Sequence, residues 1–340
     1  MSGSPEPSRL RWHPGRPSGG GLVVAVGTFD GVHVGHQAIL RAACELAGEM
    51  ATACVALTFD PHPRSVVQAG WDGALLTTLD QRLELLMRYG AHACAVLRFD
   101  RQVAQMAPES FIRDVLVGEV GAAAVVAGFN FAFGRGRQGD ISTLETLGLA
   151  VGLRVRAVAP VYVDGRPASS TAARVLVQQG EMEKARAVLG RAYALRGVVV
   201  AGEGRGRQLG YPTANIDPGP GRVLPADGVY VARMRLLDRG AQGDRMQAPG
   251  GDLDALAVVS RRPTFGGERR WLEVHALAAG GDWYGRAVEV EFEKRLRPIR
   301  TFSSPQELVA QIEADRRAAR AYLDHQGRGP AGLESKSDYL

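Results

Sequence analysis

Two histidines three residues apart follow the first apolar run of the chain. His33 and His36 lie in the stretch GTFDGVHVGH, residues 27–36, between apolar residues 22–26 and a segment with helical spacing. This order predicts a strand, a tight turn and a helix, and the glycines of the turn let the backbone approach a ligand closely. Both imidazoles would flank a helix N-terminus, where free N–H groups and the helix dipole favour an anion. We therefore expect a polyphosphate at this turn.

Three further loops have the composition of ligand-binding segments. The loop 58–64 contains a histidine, an arginine and two prolines, the loop 128–140 contains three aromatic residues and two arginines, and the loop 168–174 reads ASSTAAR. Because ligands of open parallel sheets bind beyond the carboxyl ends of the strands, all four loops could meet over one sheet edge. Glycines 134, 136 and 139 match a dinucleotide-binding pattern, but they do not join a strand directly to a helix, so we discount that match.

Composition limits the class of protein. The 340 residues are 45% hydrophobic and 23% charged, with a formal net charge of +5 that is spread along the chain. Length favours two domains, and no apolar run approaches the roughly 20 residues of a membrane helix. Cys44, Cys54 and Cys94 have no metal-binding spacing and are expected to be buried thiols in a reducing compartment. We predict a globular, cytoplasmic protein with no membrane or nucleic-acid partner.

Hydrophobic periodicity divides the chain into two regions. From residue 22 to about 160, apolar strands alternate with helices, which indicates a parallel sheet covered on both faces. The expected strands are 22–27, 52–58, 93–97, 122–127 and 153–159, and the expected helices lie near 36–49, 79–89, 108–117 and 142–150. From residue 193 onward, successive strands with period two indicate an antiparallel barrel or sandwich. These strands are expected at 194–201, 228–237, 255–260, 271–278 and 286–294.

Local signals refine this division. Apolar and acidic residues alternate strictly over 288–293, which predicts one buried and one solvated face. Residues 142–145 form a capping-box pattern, Ser304 to Glu307 predicts the start of a closing helix, and residues 238–253 resemble a long hairpin loop. Two short helices near 170–179 and 181–189 precede the change of pattern. We predict disordered tails at 1–21 and 326–340 and domains at 22–188 and 189–325.

A series of motifs falls in the order and approximate spacing of a known family. The motifs are GTFDGVHVGH, LTFDPHPR, GFNFAFGRGRQGD, SSTAAR, GRQLGYPTAN, PADGVY, RPTFGG, LEVH and DWYGR. Over roughly residues 22–323 they resemble the bifunctional bacterial riboflavin kinase/FAD synthetase. The resemblance implies an α/β fold: a Rossmann-like nucleotidyltransferase domain that converts FMN to FAD, then an antiparallel β-barrel with a closing helix that converts riboflavin to FMN. ATP would be the co-substrate, with Mg²⁺ or a similar divalent cation.

The resemblance also implies residue roles. The residues implied in catalysis are His33, His36, Arg174 and Glu273. Those implied in binding ATP or its phosphates are Gly27, Phe29, Asp30, Gly35, Arg64, Asn130, Ser169, Ser170, Thr171, Gly202, Arg207 and Gly210. Phe59 and Tyr230 would contact flavin, and Thr213 and Asn215 would hold the metal.

Several of these residues also have a structural interpretation. The histidines could merely cap a helix or form a zinc site with His62, Phe59 could be a core aromatic, and residues 169–171 could cap a helix. A glutamate in a strand, such as Glu273, usually lies on the solvated face.

The chain departs from the family pattern at Ala172 and Ala173, where a variable residue, often arginine, and an isoleucine are usual. A riboflavin kinase with an impaired N-terminal site is therefore one alternative. A non-catalytic flavin- or nucleotide-binding regulator is another, and the oligomeric state is left open.

Overall fold

The computed structural model describes residues 9–71, 73–202, 210–237, 252–264, 267–278 and 283–326. Its contacts form two compact units, one of residues Met1–Ala173 with Val188–Gly190 and one of Arg174–Ala187 with Arg191–Leu340. This division differs from a boundary at residue 188, because residues 174–187 group with the second unit.

A six-stranded sheet forms the first unit, in the order β1-β4-β3-β2-β5-β6. Strands β2 to β6 are parallel to one another, and the edge strand β1 is antiparallel to β4. The strands are β1 (Leu10–His13), β2 (Leu22–Val26), β3 (Cys54–Asp60), β4 (Ala93–Arg98), β5 (Ala122–Gly128) and β6 (Arg154–Val158). The predicted parallel sheet is confirmed.

Helices follow the strands of this sheet. They are α1 (Val34–Glu49), α2 (Pro63–Val67), α3 (Leu79–Arg88), α4 (Arg101–Ala104), α5 (Pro108–Ser110), which runs into a π-helix (Phe111–Val120), and α6 (Ile141–Ala150). Alternate strand residues pack on opposite sides: Val24 and Leu57 belong to one apolar cluster, whereas Val23 and Ala56 belong to another with α1. Helices and apolar side chains therefore cover both faces, as predicted.

The segment predicted as an N-terminal tail contains an edge strand. Leu10–His13 pairs with β4, and Leu10 is buried in the core of the first unit. Trp12 packs against the same core, and the Arg16 guanidinium lies over its ring. The prediction of disorder over 1–21 is therefore wrong for the part that the structure describes. The segment is rich in Pro, Gly and Arg, but the apolar side chains of Leu10 and Trp12 are enough to hold a strand against the core.

A closed antiparallel barrel forms the second unit, in the order β10-β13-β12-β11-β14-β9. A two-stranded hairpin, β7 (Tyr162–Val163) with β8 (Arg166–Pro167), precedes the connection to it. The barrel strands are β9 (Tyr193–Val200), β10 (Ala214–Asp217), β11 (Gly228–Leu236), β12 (Leu253–Thr264), β13 (Gly267–Ala276) and β14 (Ala287–Arg297); the helices are α7 (Ser170–Gln179), α8 (Met182–Leu189) and α9 (Pro305–His325). The barrel is confirmed, and β10 was not predicted.

The acidic face of β14 is not solvated. Glu289 and Glu293 are 6% and 3% exposed. Glu289 forms ion pairs with Arg196 and Arg235, and Glu293 forms one with Arg186 of α8 at 2.6 Å. Burial alone would raise the pKa of Glu289, but the two guanidinium groups outweigh it and lower that pKa. The prediction of a wet acidic face is wrong because basic side chains from three other elements cover it.

The predicted caps of two helices have different outcomes. Ser304 Oγ accepts a hydrogen bond from Glu307 N–H at 3.2 Å, so the predicted cap of α9 is confirmed. Helix α6 instead begins after Asp140, whose carboxylate accepts from Thr143 N–H at 2.8 Å, so the predicted capping box is wrong. Residues 238–251 of the predicted hairpin loop and 327–340 of the predicted C-terminal tail lie outside the described residues.

Candidate active sites

The turn after β2 places two imidazoles at the start of α1. Backbone φ is positive at Phe29 (52°), Gly31 (78°) and Val32 (38°), so the chain reverses sharply between strand and helix. His33 is the N-cap of α1, and its Nδ1 accepts a hydrogen bond from the N–H of Gly35 at 3.2 Å. The His36 ring stacks on it, with 3.6 Å between centroids and 25° between planes. The helical-cap alternative therefore holds for His33, and both rings lie together at the helix N-terminus.

Two residues of this turn predicted to bind ATP are buried supports. Phe29 and Asp30 are 0% exposed. The Asp30 carboxylate accepts hydrogen bonds from the N–H groups of Leu76 (3.0 Å) and Thr77 (3.1 Å), and from the Thr77 hydroxyl at 3.2 Å. The Phe29 ring would lie 3.2 Å from a Cβ placed on Gly27. Direct contacts of Phe29 and Asp30 with ATP are therefore not supported, since both side chains are used to hold the turn.

We expect Asp30→Ala to lower the free energy of unfolding by about 3 kcal/mol, because two buried N–H groups lose their acceptor. Denaturant unfolding of the whole chain measures this change. Asp80→Ala is the matched control, since Asp80 is exposed at the start of α3, and it should change stability by less than about 1 kcal/mol. Unchanged stability combined with weaker ATP binding would restore the phosphate role of Asp30.

Two of the three hydroxyl groups in the Ser-Ser-Thr segment at the start of α7 form hydrogen bonds with backbone groups of the protein. Ser169 Oγ accepts from the N–H of Ala172 at 3.1 Å, and Ser170 Oγ donates to the Asp30 carbonyl at 2.8 Å. Thr171 is exposed, and Arg174 follows one helical turn after Ser170. The capping alternative therefore describes Ser169, and Ser170 binds the backbone of the histidine turn. The roles predicted for Thr171 and Arg174 stay predictions.

The loops after β3 and β5 contain the remaining predicted residues of the first unit. Phe59 is buried and meets Phe99 edge to face at 5.8 Å, so its alternative as a core aromatic fits the structure. Arg64 and Asn130 are exposed. His62 stacks on Trp71, and its Nδ1 accepts from the N–H of Arg64 at 3.2 Å. The structure supports neither a flavin role for Phe59 nor a zinc role for His62.

In the second unit, the predicted metal and catalytic residues lie on neighbouring strands. Asn215 of β10 is the direct partner of Glu273 in β13, so the two side chains project from the same face of the sheet. Asn215 is 6% exposed, and its Oδ1 has no hydrogen-bond partner among the described residues. A Cβ on Gly202 would overlap the Asn215 amide group. The glycine therefore leaves room for Asn215 beside Glu273.

Comparison with known proteins identifies the family. The FAD synthetase family model matches residues 16–172, and the riboflavin kinase family model matches residues 189–323. A bifunctional riboflavin kinase/FMN adenylyltransferase of Escherichia coli strain K12 is 34% identical over 303 residues, covering 89% of this chain and 93% of that protein. This chain belongs to the bifunctional riboflavin kinase/FMN adenylyltransferase family.

Other relatives cover the chain to a similar extent. The family member from Bacillus subtilis strain 168 is 30% identical over 308 residues, covering 89% of this chain and 93% of its own. A crystal structure of a Streptococcus pneumoniae protein described as a macrolide-efflux protein superposes with a TM-score of 0.80 and 30% identity, covering 89% and 95% of the two chains. Among the described residues of this chain, no helix is long and apolar enough to span a membrane.

Within this family member, the segment before β10 has two side-chain anchors that sequence reasoning missed. His275 Nδ1 lies 2.9 Å from the Pro212 carbonyl oxygen, and since a carbonyl only accepts, Nδ1 must donate. The Tyr211 hydroxyl donates to Glu313 of α9 at 2.7 Å, and its ring meets that of His275 edge to face. His275 belongs to the motif LEVH and Tyr211 to the motif GRQLGYPTAN. The spacing of residues in these motifs does not indicate that the two side chains hold the segment that contains Thr213.

Three further residues of this region were predicted to contact flavin or ATP. Tyr230 is fully buried, its hydroxyl donates to the Ala226 carbonyl at 2.5 Å, and burial raises its pKa to about 12. The predicted flavin contact of Tyr230 is therefore not supported. Gly210 is exposed with φ of 85° and open space beside its Cα, and Arg207 lies outside the described residues.

The donor atoms near β10 fit a divalent cation. The buried Asn215 carbonyl oxygen and the exposed Thr213 hydroxyl are hard oxygen donors, which Mg²⁺ prefers. Across the described ranges, no three His, Cys, Asp or Glu side chains form a group that could hold a metal. A cation here would therefore rely on phosphate and water oxygens for its remaining ligands, as Mg²⁺ commonly does in phosphoryl-transfer enzymes.

We expect Gly202→Ala to lower riboflavin phosphorylation about 100-fold, because displacing a positioning group by about 1 Å can cost that factor. The new methyl group would press on the Asn215 amide, whose carbon lies 2.7 Å from the position of that Cβ. Initial rates of FMN formation measure the effect. Gly48→Ala is the control, because its Cβ would meet nothing within 4 Å; an unchanged rate in Gly202→Ala would contradict the crowding argument.

Proposed function

We propose that this chain phosphorylates riboflavin to FMN in its second unit and adenylylates FMN to FAD, with release of pyrophosphate, in its first unit. Family membership over both units supports two activities in one chain. The observation that carries the kinase assignment is the pairing of Asn215 and Glu273 on adjacent strands beside Gly202. It places the Asn215 carbonyl oxygen, which has no hydrogen-bond partner in the described part of the chain, beside a carboxylate. A metal ligand next to a proton acceptor suits phosphoryl transfer to a hydroxyl.

In the kinase site, Glu273 acts as the general base. Its carboxylate accepts the proton of the ribityl 5′-hydroxyl as that oxygen attacks the γ-phosphorus of ATP. Asn215 and Thr213 would hold Mg²⁺, which neutralises phosphate charge when bound. His275 and Tyr211 fix the segment that positions these oxygen donors, through the Pro212 carbonyl and Glu313.

In the adenylyltransferase site, His33 and His36 bind the phosphates of ATP. Adenylyl transfer needs an FMN phosphate oxygen in line with the α-phosphorus and stabilisation of the charge on departing pyrophosphate. The N-terminus of α1 supplies positive potential. Because His33 Nδ1 accepts from the Gly35 N–H, its ring carries the proton on Nε2, which can donate to a phosphate oxygen. Thr171, Arg64 and Asn130 supply further polar contacts to the nucleotide in this proposal.

A chromatographic assay tests both activities. Purified chain is incubated with ATP, Mg²⁺ and either riboflavin or FMN, and the flavins are resolved. We expect FMN and FAD from riboflavin, FAD from added FMN, and no product when a chelator replaces Mg²⁺. Absence of both flavin products would contradict the proposal, whereas FMN without FAD would support a kinase with an impaired first unit. We also propose a cytoplasmic location, where ATP is available.

A further inference from the structure

Two thiols face each other on the α1 side of the sheet in the first unit. Cys44 lies in α1 and Cys54 is the first residue of β3, and their Sγ atoms are 3.2 Å apart. Cys44 Sγ also lies 3.1 Å from the Gly90 carbonyl oxygen. All three cysteines are free thiols. Since a disulfide bond is about 2.05 Å long, the two sulfur atoms need to approach by only about 1 Å.

The two thiols differ in access and acidity. Cys54 is 0% exposed, whereas Cys44 is half-buried. The neighbouring Cys54 lowers the pKa of Cys44, while the hydrogen bond to Cys44 and burial raise the pKa of Cys54. Because the thiolate is the nucleophile in thiol–disulfide exchange, a reagent from solvent should react first at Cys44.

We propose that Cys44 and Cys54 form a thiol–disulfide modification site that reacts with low-molecular-weight disulfides. Cys44 is the attacking residue and Cys54 is the resolving residue. The expectation of three buried thiols is wrong for Cys44, which is half-buried. The proposal does not rest on the flavin activities. Cys94 is excluded because it is buried, and burial raises its pKa to about 12.

The exchange balances in two steps. The Cys44 thiolate attacks one sulfur of the small disulfide, the old S–S bond breaks, and one small thiolate leaves with the electron pair. The Cys54 thiolate then attacks Cys44 Sγ, the intramolecular bond forms, and the second small thiolate leaves. The protein loses two protons and two electrons, and the small disulfide takes up both to become two thiols. The product ties the helix capped by His33 to the second parallel strand.

Oxidised glutathione is the probe. The folded full-length chain is incubated with it, unreacted thiols are blocked, and peptides are mapped without reduction. Trypsin leaves both cysteines on the peptide 42–64, and a second cleavage after Glu45 or Glu49 separates them unless they are bonded. We expect this peptide to lose two hydrogens, to stay linked after the second cleavage, and to regain both thiols on reduction. A peptide 42–64 that keeps both thiols would overturn the proposal.

Three variants assign the roles. Cys54→Ser should accumulate glutathione on Cys44, because the resolving thiol is gone, and Cys44→Ser should leave Cys54 unmodified. Cys94→Ser is the matched control and should form the bond like the unchanged chain. Glutathione that persists on Cys44 of the unchanged chain, or an unmodified Cys44 in Cys54→Ser, would overturn the two-step site. The peptide map of the unchanged chain decides the existence of the bond even where a variant fails to fold.

Discussion

Glu273→Gln lowers riboflavin phosphorylation by a factor of about 10²–10⁴, the usual contribution of a general base, and leaves FMN adenylylation unchanged. Glutamine keeps the size of the side chain and its place beside Asn215 but cannot accept the hydroxyl proton at neutral pH. Two separate initial rates measure the effect, one for FMN formed from riboflavin and one for FAD formed from added FMN. The second rate reports whether the chain is folded.

Glu183→Gln is the matched control for this prediction. Glu183 is exposed in the second unit and forms a surface ion pair with Lys294 at 3.3 Å, so the same chemical change there should leave both rates unaltered. Loss of both flavin reactions in Glu273→Gln would argue against two independent sites. An unchanged kinase rate would return Glu273 to the alternative of an ordinary strand residue.

His33→Asn lowers FMN adenylylation by a factor of about 10²–10³, the cost of removing one group that stabilises developing charge. The substitution separates two roles that coincide in His33. Asparagine is a favoured N-cap residue, so it can accept the hydrogen bond from Gly35 that Nδ1 accepts now. It lacks the imidazole that stacks on His36. The rate of FAD formation from FMN therefore isolates the phosphate role.

His33→Ala completes the comparison because it removes the cap as well. We expect it to lose stability by about 1 kcal/mol relative to His33→Asn, measured by denaturant unfolding, while riboflavin phosphorylation stays unchanged in both variants. If His33→Asn keeps the original adenylylation rate, capping is the whole function of His33.

Strands β2 to β5 of the sheet were predictable because each contains a short continuous apolar run, as at Val24 and Val55, which is typical of a strand buried on both faces. Strand β10 was missed because four residues following Pro212 provide too little periodicity. The support role of Asp30 was hidden because its partners Leu76 and Thr77 lie 46 and 47 residues away. Local spacing contains no information about such distant contacts.

Polar residues were harder to interpret than apolar ones for the same reason. The alternation around Glu289 correctly indicated which side chains of β14 face the barrel interior, but not that arginines of other strands would cover the outer face. Motifs likewise predicted ligand contacts for whole segments, without indicating which side chains make hydrogen bonds within the protein. Asp30, Ser169 and Tyr230 lie within or beside quoted motifs and make internal hydrogen bonds instead.

Strand β10 is the shortest strand of the barrel, and it joins β9 to β13 to close the circle. Its pairing with β13 runs from Ala214 to Ile216 and includes Asn215 and Glu273. Asn215 and Glu273 are therefore neighbours only when the barrel is closed. A ligand held by both residues binds only the closed form, so by mass action it suppresses opening of this seam. Slowed hydrogen exchange at the amides of β10 would then report occupancy of the site.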